Sequence, residues 1–176
     1  MFGNRTKHDG DATGPSATLI IDRPEPGDGT AMWRIARDSR VLDLNSSYAY
    51  LLWARDFAGT SVVARSGDDV VGFVSGYLRP DAPGTLFVWQ VAVDASHRGK
   101  GVALTMLREL VDRAHARGAR LLETTITSDN EPSIRLFTSL AREAGVALER
   151  GPLFTGELFP DAHEAEDLYR LGPWPS

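Results

Sequence analysis

Two rhythms of apolar residues alternate along the chain, one of period two with β-branched and aromatic side chains, the other returning every three or four positions. "ATLIIDRP" (17–24) reads as a strand closed by Pro24. Asp28 stands where it would cap a helix carrying Met32, Trp33, Ile35 and Ala36. The turn-rich "VLDLNSS" follows, and Ser46 or Ser47 can cap a second helix over "YAYLLWARDF". Three strands come next, "TSVVARS", "DVVGFVSGYL" and "TLFVWQVAVD". "GDD" marks a hairpin between the first two, and "RPDAPG" a longer turn before the third. Leu104, Leu107, Leu110 and Val111 recur at helical spacing up to about His115, with Gly118 as the stop. "ARLLETTIT" is a further strand, and "SDNEPSIRLFTSLAREAG" a helix with Asp129 or Asn130 near its cap and Gly145 at its end. "ALERGPLF" and "HEAEDLYRLG" supply two more strands at one edge.

The resulting order, β-α-α-β-β-β-α-β-α-β-β, pairs early hairpins with a single strand–turn–helix–strand crossover. That combination predicts an α/β (α+β) fold with a mixed, mostly antiparallel sheet flanked by helices. Residues 1–16 are polar, with Phe2 their one large apolar side chain, and read as a disordered tail before a domain over 17–176. The chain has 176 residues, 42% hydrophobic and 24% charged, ordinary values for one globular domain. A net charge of −5 disfavours nucleic acid as a partner. No apolar run is long enough to cross a membrane and no signal-peptide core is visible, so a cytoplasmic location is expected. The sequence holds no cysteine, which removes disulfides, thiolate nucleophiles and zinc–thiolate sites from consideration; no metal is expected.

The candidate chemistry starts at "HRGKGVALTM" (97–106), between a strand and a helix. A glycine turn at a helix N-terminus presents unpaired N–H groups and favours an anion such as a phosphate. A plain tight turn with two surface bases accounts for the same ten residues equally well. The turn lacks the spacing of G-x-G-x-x-G, and no Gly-Lys-Ser/Thr closes it, so neither dinucleotide nor P-loop binding fits.

Arg98-Gly99-Lys100-Gly101-Val102-Ala103 matches R-x-x-G-x-A, following a strand that ends "VAVD" and opening a helix. In this the chain resembles the Gcn5-related N-acetyltransferases over roughly residues 17–150. Five further segments, "LDLNSSYAYLL", "GFVSGY", "TLFVWQVAVD", "LETTIT" and "HEAEDLYRLG", look like the L-2,4-diaminobutyrate acetyltransferases of ectoine biosynthesis. The resemblance implies acetyl-CoA as co-substrate, L-2,4-diaminobutyrate as acceptor at its 4-amino group, an osmoprotective pathway and a homodimer. Another small amine or a protein N-terminus as acceptor remains open, as does a non-catalytic acyl-CoA-binding module.

The same resemblance assigns Arg98, Gly99, Lys100, Gly101, Val102 and Ala103 to the pyrophosphate. It puts the Val91 N–H at the acetyl carbonyl and Val93 against the pantetheine arm. Both valines also serve as ordinary sheet and core residues. Many relatives protonate the departing thiolate with a tyrosine where this chain has Phe137, which has no proton to give. Asn130 stands near the cofactor or acts as a plain helix cap. The acceptor ammonium must lose a proton before attack, and Glu123 and His163 are the available bases. Glu123 has an alternative as the partner of a lysine or arginine, and His163 as a solvated loop residue. For the diamine, Asp43, Asn45, Tyr48, Trp89, His163 and Glu166 are the candidate contacts. Tyr48 and Tyr50 cannot face the same way on a helix, so only one of them is expected in the pocket.

Overall fold

Strand β1 (Leu19–Asp22) is followed by α1 (Gly29–Ser39) and α2 (Ser47–Asp56), then by β2 (Val62–Ser66), β3 (Asp69–Arg79) and β4 (Ala82–Val93). Next come α3 (Val102–His115), β5 (Leu121–Thr127), α4 (Glu131–Ala144), β6 (Leu148–Phe154) and β7 (Glu166–Leu171). The computed structural model describes residues 18–161 and 163–175, and the tail expected over 1–16 lies outside them. Local chemistry sets the boundaries. The Ser46 hydroxyl accepts from the Ala49 N–H to start α2, Asn130 caps α4, and Gly145 ends α4 at φ 66°, a left-handed conformation suited to glycine. Asp28 precedes α1 as expected, but its carboxylate is engaged elsewhere. It accepts from the Glu25 N–H and from both terminal nitrogens of Arg65.

The strands form one sheet in the order β1-β2-β3-β4-β5-β7-β6. Neighbours are antiparallel except β4 and β5, joined by the crossover through α3. The two C-terminal strands do lie at one end of the sheet, with β7 inserted between β5 and β6 so that β6 takes the edge. The turn before β4 is shorter than expected. Arg79 pairs with Ala82, leaving Pro80 and Asp81 to reverse the chain, because proline presets φ for the first turn position.

Each face of the sheet carries its own core. Met32, Ile35, Tyr50 and Ala54 of α1 and α2 pack on Phe73 and Ala92. On the other face Met106, Leu107 and Leu110 of α3 and Phe137 and Leu140 of α4 pack on Val74, Leu86, Leu122 and Tyr169. Each such Leu or Phe removed from water contributes roughly 1.5–3 kcal/mol.

Two irregularities of β4 shape everything functional. Ser75 faces Gln90 and Gly76 faces Val88, so Trp89 is an extra, bulged residue. The bulge reverses the alternation: Leu86 and Val88 face α3 and α4, as do Val91 and Val93, whereas Ala92 faces α1 and α2. Opposite it, a Cβ on Gly76 would sit 2.7 Å from the Phe87 carbonyl oxygen, so only glycine fits. The second irregularity is a parting of strands. β4 and β5 pair only from Thr85 to Phe87 against Leu121 to Glu123, and β4 then runs on to Val93 paired only with β3.

Candidate active site

The parting leaves a gap whose polar lining follows from strand parity. The Asp94 N–H donates to the Val71 carbonyl, toward β3. N–H groups alternate sides along a strand, so Ala92 also points to β3, and the N–H groups of Val91 and Val93 point into the gap. The Val93 carbonyl shares that side and accepts from Arg98 Nε at 3.0 Å. A second cation steadies the base of the gap, where Arg34 of α1 holds Asp94 at 2.8 Å.

Below the gap lies the glycine turn. Gly99 and Gly101 adopt φ of 73° and 76°, a conformation that L side chains resist. Among the described residues, the N–H groups of Gly99, Lys100 and Gly101 donate to no carbonyl or side chain. They sit at the N-terminus of α3, where the helix dipole favours negative charge. Unpaired donors, open space and a cationic rim fit a pyrophosphate. Arg98, Gly99, Lys100 and Gly101 are exposed and Val102 is buried as the first residue of α3.

Above the gap is a cavity of about 150 Å³, open to solvent. Trp89, Gln90 and Val91 of β4 form one wall, Thr124 to Thr127 of β5 another, and Phe137 and Asn130 of α4 and its cap close an end. Asp43, His163 and Glu166 line the remaining side. His163 Nε2 lies 3.2 Å from Asp43 Oδ2 and 3.7 Å from Glu166 Oε1. Its Nδ1 is 2.7 Å from the Glu164 carbonyl, which can only accept, so Nδ1 carries a hydrogen. Both ring nitrogens thus face acceptors, an arrangement that favours the imidazolium, and loss of its Nε2 proton leaves the lone pair on that nitrogen. The Glu164 carbonyl holds the His163 pKa above its ordinary value, with Asp43 and Glu166 adding to the effect against opposing desolvation. The ring stacks on Phe159 at 4.5 Å.

Glu166 is the complementary case. Burial pushes its carboxyl above the usual range, with Thr125 and His163 pulling the other way. Its Oε2 is buried without a hydrogen-bond partner, while the residue lines the cavity. A carboxylate so placed is costly unless a cation or a proton joins it. Among the described residues no group of three or more acidic or imidazole side chains is arranged to hold a metal ion.

A glycine turn that favours an anion, a splayed strand with free N–H groups and an imidazole beside two carboxylates are together suited to acyl transfer. The sequence model of the acetyltransferase (GNAT) family matches residues 29–141. The chain belongs to the GNAT acetyltransferase family. Within it, the chain groups with the diaminobutyric acid acetyltransferases. The L-2,4-diaminobutyric acid acetyltransferase of Streptomyces coelicolor is 60% identical over 164 residues, 92% of this chain and 96% of that protein. The protein of that name from Marinococcus halophilus is 43% identical over 158 residues, 89% of this chain and 91% of its own. The diaminobutyrate acetyltransferase of Paenibacillus lautus, solved with L-2,4-diaminobutyric acid and coenzyme A, superposes with a TM-score of 0.86. Its identity is 41%, over 91% of this chain and 98% of that one.

With the GNAT frame in place, several residues singled out in the sequence take different positions from those expected. Glu123 does not face the cavity. It is buried, and its two oxygens are taken by Arg79 at 2.8 Å and Arg170 at 2.9 Å. A carboxylate engaged by two guanidinium groups is a strut tying β3, β5 and β7, not a free base. Tyr48 is 65% exposed and outside the cavity lining. Asn45 is also outside it and donates to the Asp43 carbonyl at 3.2 Å. Asn130 serves in both capacities considered, accepting from the Ser133 N–H and lining the cavity. Ala103 lies half-buried in the first turn of α3, and the Val93 side chain is core, leaving only its backbone for the gap. Trp89 walls the cavity while stacking on Trp53 at 4.8 Å. Gln90 was not singled out. Its one sequence signal is an amide inside an otherwise apolar strand.

Proposed function

We propose that the protein transfers the acetyl group of acetyl-CoA to the 4-amino group of L-2,4-diaminobutyrate, giving the N4-acetyl product for ectoine biosynthesis. The observation that carries this is the position of His163 Nε2, beside the carboxylates of Asp43 and Glu166 in the cavity that Val91 also lines. A diamine brings two ammonium groups, and the carboxylates of Asp43 and Glu166 in the cavity lining offer them partners.

In this mechanism Gly99, Lys100 and Gly101 present their N–H groups to the pyrophosphate of acetyl-CoA, and the Val93 N–H meets the pantetheine arm. Asp43 and Glu166 orient the diamine. His163 Nε2 takes a proton from the 4-ammonium, and the freed nitrogen attacks the acetyl carbon. The Val91 N–H donates to the acetyl oxygen as negative charge develops there, an effect of about 3 kcal/mol per donor. The carbon–sulfur bond then breaks with its electron pair on sulfur, and the second proton of the nitrogen passes to that sulfur, leaving the amide and the coenzyme A thiol. Phe137 gives no proton, but a thiol pKa of roughly 8.5 puts the thiolate within reach as a leaving group. With no cysteine in the chain, attack is direct, within a ternary complex.

The reading carries with it a cytoplasmic location, an osmoprotective role and a homodimer. Among the described residues no helix is long and apolar enough to cross a membrane. The dimer is supported by the outer edge of β6 and the exposed Leu153, Phe154 and Leu158 beside it, which a second copy would cover. Light scattering at micromolar concentration is expected to give twice the chain mass, and a fully active monomer would contradict it.

Purified protein incubated with acetyl-CoA and a panel of diamines, monoamines and peptide N-termini tests the function. Turnover is expected to favour 2,4-diaminobutyrate by kcat/KM. A higher kcat/KM for a peptide or monoamine would overturn the assignment, and cofactor binding without turnover of any amine would make the chain a binding module.

A further inference from the structure

The Asp43 carboxylate belongs to a loop with no regular hydrogen-bonded structure, yet it must stand at a fixed place to meet both His163 and an ammonium. Something has to hold that loop, and Gln90 is placed to do it. This residue is 4% exposed in the middle of β4, where the bulge at Trp89 turns its side chain toward α2. Its Nε2 donates to the Asp43 carbonyl at 2.9 Å, and its Oε1 accepts from the Tyr50 hydroxyl at 3.2 Å. The reverse orientation of the amide would set its oxygen against the carbonyl of Asp43, two acceptors in contact. Tyr50 is 1% exposed and packs edge-on against Phe73, so its hydroxyl is a fixed donor. One turn further along α2, Trp53 stacks on Trp89. The helix thus grips both residues at the bulge, one by stacking and one by a hydrogen bond.

We propose that Gln90, oriented by Tyr50, is the positioning residue that keeps Asp43 within reach of His163 and of the acceptor amine. The inference rests on the acceptor assigned above. It explains why an amide is buried in an apolar strand, where an unpaired polar group would be costly.

Steady-state kinetics of Gln90→Leu, Tyr50→Phe and the double variant test the network, with thermal unfolding recorded for each. Gln90→Leu is expected to raise the KM for diaminobutyrate roughly tenfold, the loss of one buried hydrogen bond, while the KM for acetyl-CoA stays unchanged. Tyr50→Phe is expected to give a smaller rise in the same constant. Because Tyr50 acts through Gln90, the double variant is expected to match Gln90→Leu, not the product of the two effects. Unchanged diaminobutyrate KM in the variants, equal movement of both constants, or multiplicative effects in the double variant would overturn the proposal. If Gln90→Leu does not fold, Tyr50→Phe, which keeps the ring, decides alone by whether its diaminobutyrate KM rises. Wild-type turnover of diaminobutyrate is the separate control: its absence overturns the assigned function and the network with it. Its presence alongside unmoved variants overturns the network only.

Discussion

His163 Nε2 and Asp43 Oδ2 meet at 3.2 Å, bringing the β6–β7 connection against the loop between α1 and α2. The contact joins parts of the chain separated by most of its length, at the open end of the gap between β4 and β5.

With His163 as the proposed base, that contact predicts a pH dependence of defined direction. Only the neutral ring can take a proton, so kcat/KM is expected to rise as pH climbs through its raised pKa. Asp43→Asn removes a charge that favours the imidazolium. The acidic limb of the profile is therefore expected to move to lower pH, with the Glu164 carbonyl leaving part of the upward shift in place. Kinetics from acid to mildly alkaline pH give the answer, and an unmoved limb would remove the Asp43–His163 coupling.

Glu166→Gln keeps the shape of the side chain and removes the anion whose Oε2 lacks a partner. A hydrogen bond to a charged group contributes about 1.5–3 kcal/mol, so the KM for diaminobutyrate is expected to rise at least roughly tenfold. The dissociation constant for coenzyme A, read by calorimetry, stays where it was. Weakening of both ligands together would show Glu166 to be structural.

Gly101→Asp attacks the other half of the site. It puts a side chain at φ 76° and a negative charge where the turn presents its N–H groups. Strain of about 1–2 kcal/mol adds to the repulsion, so calorimetry should find coenzyme A binding weakened by well over tenfold. Arg98→Ala should cost less, because the backbone donors remain. Unaltered affinity in a folded Gly101→Asp would sink the pyrophosphate assignment.

Glu123→Gln separates a strut from a base. The carboxylate is buried but both arginines are about 40% exposed, so water can take over part of their solvation. A loss of about 1–3 kcal/mol in urea unfolding is expected, with kcat of the folded protein unchanged. A kcat reduced a hundredfold at unchanged stability would restore Glu123 as the base.

Much of the frame is legible in the chain itself. The strands at "DVVGFVSGYL" and "LETTIT" carry their own periodicity, whereas the strand–glycine–helix turn at Arg98 to Ala103 suits an anion site and a plain tight turn equally until its match to R-x-x-G-x-A is weighed. What resists reading is long-range or irregular. Glu123 looks like a free acid because its partners Arg79 and Arg170 stand 44 and 47 positions away. The bulge at Trp89 inserts one residue into a period of two, so simple alternation misassigns which neighbours share its face. Gln90 looks unremarkable for the same reason. His163 and Glu166 emerge from resemblance, since nothing local joins "HEAE" to "LDLNSS". Their meeting is a product of tertiary packing.

The position of the acetyl group on the product tests the central claim most directly. Diaminobutyrate offers two amines, and nuclear magnetic resonance of the product distinguishes an amide at the 4-nitrogen from one at the 2-nitrogen. The proposed function predicts the 4-acetyl compound alone from the purified protein and acetyl-CoA. Acetylation at the 2-position, a mixture of the two, or unreacted diaminobutyrate would contradict it.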